Sequence, residues 1–469
     1  METSAAPSPI AALAGQRVAI WGFGREGRAA ITALRQRLPQ QPLTLFCTAA
    51  ETAAAHAFDA ALDVRSDEPD TSALAVFDVV IKSPGISAYK PALLAAAKQG
   101  TRFTSGTALW FGEHALGNPS SDSGRQAPVI AVTGTKGKST TSAMIAHLAR
   151  ALGVRTGLAG NIGMPLLELL DQSAELWVIE LSSFQTGEAG TLELGVITSL
   201  YEEHLDWHGS RERYVADKLK LAQVAQQLLI NAQQEVLLEC TEDHPHRLPF
   251  GKPEGWHVDD GFIRRGTRDV FPVTQLAAPG QHNALNACAA LAALAAVGMD
   301  ALAAAPALAN FRPLPHRLQP LGEYEGLHWV NDSISTMPQA TLAALDSLPG
   351  RQVTVLVGGH DRGLDWSVFV DAVAENPPWA IICSGANGPR IAAALQEAEV
   401  VTEIALVDGL DAAVELASKL TPPGGCVLLS PGAPSFDQFR DYAERGRRFA
   451  DLAGFDGNGI TGIEGLGIA

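Results

Sequence analysis

The chain has 469 residues, more than one hydrophobic core ordinarily supports, so two or three domains are expected. A formal net charge of −17 argues against a nucleic-acid partner, because displacing phosphate counterions takes a positive surface, whereas a small nucleotide needs only a few local donors. Hydrophobic residues make up 46% and charged residues 18%, an ordinary globular balance. Cys47, Cys240, Cys288, Cys383 and Cys426 are widely spaced without a CxxC, which suits reduced thiols and not a disulfide framework or zinc site. No cationic start with an apolar stretch precedes the first strand, and no uncharged apolar run is long enough to span a bilayer. A soluble cytoplasmic protein without membrane contact is expected.

Residues 1–16 read as a loose Ala/Pro-rich start. The strand Val18-Ala-Ile-Trp21 then leads into Gly22-Phe-Gly24-Arg-Glu-Gly27, which opens a helix. Short apolar runs at 43–46 and 79–81, separated by Ala-rich helical stretches, predict a small α/β domain. The stretch 117–126 has linker composition. A second α/β unit starts with the buried-type strand Val129–Thr133 and continues through strands at 176–180 and 195–199 of a mostly parallel sheet. Prolines in Phe311-Arg-Pro-Leu-Pro-His-Arg317 end the helical run at 284–309 and mark a hinge. Strands at 326–330, 353–357, 380–383 and 427–429 alternate with helices in a third unit, and the Gly-rich tail 454–469 reads as disordered. The expected domains are 1–124, 125–312 and 313–469.

The most specific local feature is Gly134-Thr-Lys-Gly137-Lys138-Ser139-Thr140, set between a strand and the helical run Ser142–Leu152. Glycines there let backbone N–H groups approach phosphate oxygens, the helix N-terminus adds a positive dipole end, and Lys138 reaches terminal phosphates. Ser139 or Thr140 can coordinate Mg²⁺. The alternative is an ordinary Gly-rich strand-to-helix turn, and the loop is shorter than the usual GxxxxGK[ST]; its context favours the phosphate reading. Glu180 ends a buried strand at the edge where ligands gather, which makes it a metal-binding carboxylate in preference to a helix cap. His204 sits among acids at the same edge, and Lys218, on a helical stretch, reads by itself as a solvated lysine. The GxGxxG at 22–27 lacks the acid expected about 20 residues on, since the next strand ends Phe46-Cys47-Thr48; nucleotide diphosphate binding survives that test and nicotinamide binding does not. Three later turns, at 331–333, 358–363 and 430–435, all follow strands and are expected to line one face.

Together these residues resemble the Mur ligase family over nearly the whole chain. GTKGKSTT at 134–141, GNIG at 160–163, ELSSFQ at 180–185, GQHNALNA at 280–287, LPHR at 314–317, NDS at 331–333 and SFDQF at 435–439 occur in family order. The GFGxxG start, SPGI at 83–86 and the SFDQF ending most resemble its muramoyl-alanine:glutamate ligases. The resemblance implies an α/β protein of three domains: an N-terminal Rossmann-like UDP-binding domain, a central P-loop ATPase with a mostly parallel sheet, and a C-terminal Rossmann-like domain closing over the amino acid. It implies ATP-dependent activation of UDP-N-acetylmuramoyl-L-alanine as an acyl phosphate that the amine of glutamate attacks. Gly134, Thr135, Lys136, Gly137, Lys138, Ser139, Thr140, Asn283, Asn286, Arg317 and Asp332 would hold ATP. Ser139 and Glu180 would hold one Mg²⁺, and His204 with a carbamylated Lys218 a second; Lys138, His204 and Lys218 would be catalytic. Ser83, Asn161 and His204 would meet the UDP-sugar, and Thr336, Arg362, Ser435 and Tyr442 the glutamate.

Departures from the family pattern are informative. Cys47 replaces an acid that many relatives aim at uracil, and Lys136 replaces the usual Asn of the phosphate loop. Arg362 and Tyr442 stand where well-known D-glutamate adders carry Lys and Phe, and Ile334 replaces a Lys. Arginine is not equivalent to lysine at a carboxylate site, because its planar fork dictates ligand orientation. The pattern resembles a subgroup that adds L-glutamate, with an epimerase acting on the product; D-glutamate is the runner-up. Two rivals are a folylpolyglutamate-type ligase, which would lack the N-terminal GxGxxG domain, and a catalytically silent nucleotide-binding relative.

Overall fold

Val18–Trp21 (β1) is four consecutive buried residues, the pattern of a strand covered on both faces. In the computed structural model, which describes residues 7–117, 126–201, 205–278 and 280–469 (of 205 and 206 the backbone alone), β1 is central in a parallel sheet. Its partners are β2 (Leu43–Phe46), β3 (Asp63–Arg65), β4 (Val79–Lys82) and β5 (Arg102–Thr104), in the order β3-β2-β1-β4-β5. The order reverses between β1 and β4, where Ser83 N–H bonds the Trp21 carbonyl, so Ser83 stands at the crevice where doubly wound sheets take ligands.

The second sheet is built from β6 (Val129–Thr133), β7 (Thr156–Gly160), β8 (Leu176–Glu180), β9 (Leu192–Ile197), β10 (Ala225–Asn231) and β11 (Arg247–Phe250), all parallel. Its central strand β6 lies between β8 and β9. The helix Lys138–Ala151 covers one face with Met144, Ile145 and Leu148 fully buried. Each such side chain contributes about 1.5–3 kcal/mol by leaving water. Three antiparallel strands follow, β12 (Trp256–Asp259), β13 (Phe262–Arg265) and β14 (Arg268–Pro272), which the sequence reading did not anticipate.

The remaining sheet contains β15 (Gln319–Tyr324), β16 (Leu327–Asn331), β17 (Val353–Val357), β18 (Ala380–Cys383), β19 (Glu403–Leu406) and β20 (Cys426–Leu429), ordered β15-β16-β20-β17-β18-β19. Only β15 is antiparallel, so the mixed α/β fold with mostly parallel sheets is as the sequence indicated. Two compact units emerge: residues 1–275, 285–308 and 465–469 form one, and 276–284 with 309–464 form the other. The sheets of residues 18–104 and 129–250 thus share a unit.

Two expectations fail at the chain ends. The tail is not disordered to its last residue: Gly467–Ile468 (β21) pairs antiparallel with β7, and Arg150 bonds the Gly467 and Ala469 carbonyls. A glycine-rich composition gave no hint of that edge pairing. The start is not wholly loose either, because Ile10–Leu13 forms a 3-10 helix with Ile10 and Leu13 buried and the Ile10 N–H bonded to Glu113. Among the described residues, no helix is long and apolar enough to cross a membrane.

Candidate functional site

The turn after β6 is shaped by its two glycines. Gly137 has φ +85°, a left-handed conformation that favours glycine, and a Cβ at Gly134 would stand 2.1 Å from Thr198 Oγ1. Gly137 caps the helix Lys138–Ala151, and having no side chain it offers the first-turn N–H groups no side-chain acceptor of its own. The helix begins at Lys138, four residues before the expected start, which places Lys138, the buried Ser139 and Thr140 in its first turn. Neighbouring strand ends brace the turn. Ser199 Oγ accepts the Lys136 N–H at 2.7 Å, Thr135 N–H bonds the Ser199 carbonyl, and the Thr135 and Tyr214 hydroxyls stand 2.7 Å apart. Lys138 Nζ reaches the Thr135 carbonyl at 3.0 Å, while Lys136 is exposed.

Glu180 ends β8 in register with Val132 of β6 and is fully buried. Asn161 Nδ2 donates to its Oε1 at 2.8 Å, and Oε2 has no hydrogen-bond partner among the described residues. A buried carboxylate oxygen left unsatisfied is costly, so a cation at this position would fit it. Lys218, in the helix Arg211–Val224, is not the solvated lysine its spacing suggests. It is 2% exposed, with Nζ 2.8 Å from the Gly134 carbonyl and 5.0 Å from the Tyr214 ring centroid. The first unit therefore brings together the turn at 134–140, Glu180, Asn161 and Lys218. Asn286 joins them: its Oδ1 accepts from Thr141, and a Cβ on Gly137 would meet it at 2.6 Å. His204 lies outside the described residues. Among the described residues no three His, Cys, Asp or Glu side chains converge as a metal centre; a metal here would draw on Glu180 with hydroxyl or modified-lysine oxygens.

The second unit carries Asn283, Arg317, Asp332, Thr336, Arg362, Ser435 and Tyr442. Asp332 follows β16, accepts from Ser430 Oγ at 2.8 Å and from the Leu318 N–H, and burial raises its pKa to about 7. The three turns do share one edge. Gly358 N–H bonds the Pro431 carbonyl, His360 N–H bonds that of Pro434, and Asp332 N–H bonds that of Leu429. Ser435 is buried with its Oγ unpartnered among the described residues, Thr336 is half-buried, and Arg317 and Arg362 are exposed. Tyr442 packs edge-on against His316, at 5.7 Å between centroids. Asn283 is buried in this unit.

Sequence reasoning missed several groups. Arg445 is buried and donates to the carbonyls of Ser333, Ala433 and Pro434, clamping two of the three turns. Its only sequence cue was the Arg-Gly pair trailing SFDQF. His316, whose pKa burial lowers to about 4, receives Asn331 and Ser333 at Nδ1. His208 and Asp217, 2.7 Å apart in the core, had no sequence cue at all.

A Gly-rich turn with a lysine between the central strand of a parallel sheet and the helix that follows, beside a buried acid, is the arrangement of P-loop nucleotide-binding α/β proteins. Comparison with known proteins narrows the class. Residues 132–294 match the Mur ligase middle domain, and 316–432 the Mur ligase glutamate ligase domain. A Xanthomonas axonopodis pv. citri protein named UDP-N-acetylmuramoyl-L-alanine--L-glutamate ligase is 49% identical, over 98% of this chain and 99% of its own. Proteins of the same name are 49% identical in Xylella fastidiosa (98% of this chain, 100% of theirs) and 38% identical in a Micromonospora species (94% and 96%). Among solved structures, the UDP-N-acetylmuramate-alanine ligase MurC of Thermotoga maritima is similar in fold at a TM-score of 0.58 and 18% identity, covering 93% of this chain and 98% of that one. The MurF ligase of Thermotoga maritima, solved in complex with ADP, gives 0.54 at 15% identity, covering 88% and 94%. The chain belongs to the Mur ligase family.

Proposed function

We propose that this enzyme couples L-glutamate to UDP-N-acetylmuramoyl-L-alanine at the expense of ATP, in the synthesis of peptidoglycan precursors. The observation that carries the reading is the glycine-capped start of the helix Lys138–Ala151 together with the buried Glu180, whose Oε2 has no hydrogen-bond partner among the described residues, in a chain half identical to ligases of that name.

A carboxylate resists attack by an amine until one of its oxygens becomes a leaving group. The turn at 134–140 holds the triphosphate through backbone N–H groups, and Lys138 spreads the charge that develops on the transferred phosphoryl group. Mg²⁺, when bound, neutralises phosphate charge, with Ser139 and Glu180 as its holders in this chain. The muramoyl-alanine carboxylate takes the phosphoryl group, the glutamate amine attacks the acyl phosphate, and phosphate leaves from the tetrahedral intermediate. A second cation would be held by His204 and a carbamylated Lys218, whose added carboxylate converts an ammonium into an oxygen ligand. Asn283, Asn286, Arg317 and Asp332 complete the ATP contacts; Ser83 and Asn161, with His204, face the UDP-sugar. Thr336, Arg362, Ser435 and Tyr442 take glutamate. The working division is the three segments 1–124, 125–312 and 313–469. We place the enzyme in the cytoplasm, with an epimerase acting after it on the product.

Phosphate release in the presence of ATP tests this reading. It is expected to require both UDP-N-acetylmuramoyl-L-alanine and L-glutamate, with D-glutamate far weaker. ATP turnover indifferent to both substrates would point to a nucleotide-binding relative without ligase activity.

A further inference from the structure

Behind the phosphate-binding turn lies a hydrogen-bonded chain that the mechanism above does not use. His208 is fully buried, with Nδ1 2.7 Å from Asp217 Oδ2 and Nε2 3.0 Å from Ser183 Oγ. Asp217 also accepts the Tyr89 hydroxyl at 2.8 Å and pairs with Lys220 at 2.9 Å, and its backbone carbonyl accepts Thr186 Oγ1 at 2.6 Å. The order Asp–His–Ser is that of a hydrolase triad, yet a nucleophile must be reachable by an acyl carbon. Ser183 is 4% exposed, and Asp217 is shared among several donors, so the chain holds structure and does not attack substrate.

What it holds is specific. Asp217 immediately precedes Lys218 on one helix, and successive helical residues are about 100° apart. Pinning Asp217 therefore sets the direction in which Lys218 points. Ser183 is three residues beyond Glu180 on the loop leaving β8. Tyr89 extends the chain to the turn that begins at Ser83, which is tied again by Trp207 Nε1 to the Pro84 carbonyl and by Ser87 Oγ to the Trp207 carbonyl. Phe184 stacks on Trp207 at 4.4 Å.

We propose that Tyr89, Asp217 and His208 are positioning residues that fix Lys218 and Glu180 relative to each other and couple both to the Ser83 turn. This rests on the metal-facing roles assigned above to Lys218 and Glu180. Groups that orient metal-facing side chains typically change metal affinity or activity by about 10- to 100-fold when removed.

The test is Mn²⁺ binding by the full-length protein with a non-hydrolysable ATP analogue, followed by electron paramagnetic resonance and paired with steady-state kinetics. Tyr89→Phe and His208→Gln are expected to weaken Mn²⁺ binding about tenfold and to lower kcat, leaving KM for glutamate unchanged. His208→Asn, whose amide overlays the imidazole Nδ1, is expected to recover part of the affinity. Parental Mn²⁺ affinity in folded variants, or a lower melting temperature alone, would overturn the proposal. Tyr89→Phe, which deletes one hydroxyl, decides the matter if the His208 variants do not fold. Glu180→Gln separates the two levels. If it weakens Mn²⁺ binding while Tyr89→Phe does not, only the positioning chain falls; if Glu180→Gln leaves binding intact, the assignment of the metal site falls first.

Discussion

Lys218 Nζ donates to the Gly134 carbonyl at 2.8 Å, joining the helix Arg211–Val224 to the turn at 134–140 across 84 residues of chain. A lysine this deeply buried carries a large desolvation cost, which hydrogen bonding and aromatic contact offset in part. Reaction of the neutral amine with CO₂, with loss of a proton, would replace the lysine cation by a carbamate anion, whose charge a bound cation would offset.

Replacing Lys218 by alanine should therefore remove ligase activity while short carboxylic acids or bicarbonate partly restore it. Activity titrated against added acetate or formate checks this. Full activity without any additive would remove Lys218 from the mechanism.

Lys138→Ala should lower kcat by at least about a hundredfold, the scale of losing one charge-stabilising donor in a transition state. Lys138 is half-buried in the first helical turn, with Nζ on the Thr135 carbonyl, and is no part of the apolar core, so circular dichroism and melting temperature should stay near those of the parent. A folded, active variant would refute the role given to the turn.

Asp332 gives a pH prediction. Burial raises its pKa to about 7, against roughly 4 in an unfolded chain. Between those values the folded state binds the extra proton, so this group's contribution to stability falls as pH rises. His316 acts in the opposite sense: its folded pKa of about 4 makes stability climb towards the unfolded value near 6.5. Comparing parent with Asp332→Asn cancels the histidine. The variant should gain on the parent by roughly 2–4 kcal/mol between pH 4.5 and 7.5 in denaturant unfolding. A difference independent of pH would contradict the buried proton.

Removing residues 465–469 should destabilise the first unit by about 1–3 kcal/mol, since it takes away β21 and leaves Arg150 without the Gly467 and Ala469 carbonyls. Thermal melts of the truncated chain measure this, and an unchanged melt would mean the edge pairing adds nothing.

These residues also show what a sequence reveals and what it hides. The turn at 134–140 was legible because strand, glycines, lysine and helix are contiguous, and buried runs such as Val129–Thr133 name their own strands. The three turns of the second unit were legible as a shared edge because each followed a strand. Lys218 was not, because nothing within a few residues reveals that its helix faces Gly134. The tail failed for the same reason: one partner, Arg150, lies more than 300 residues away. His208 and Asp217 are nine apart, off the helical spacing that would have linked them. The family resemblance supplied roles for Lys218 that spacing could not.

In the proposed reaction the turn around Gly137 aims the terminal phosphoryl group of ATP at a substrate carboxyl oxygen. Turnover with UDP-N-acetylmuramoyl-L-alanine carrying ¹⁸O in its alanyl carboxylate, followed by mass spectrometry of the released phosphate, tests it most directly. An acyl phosphate requires one labelled oxygen to leave in the phosphate at each turnover; phosphate released without label would contradict the account.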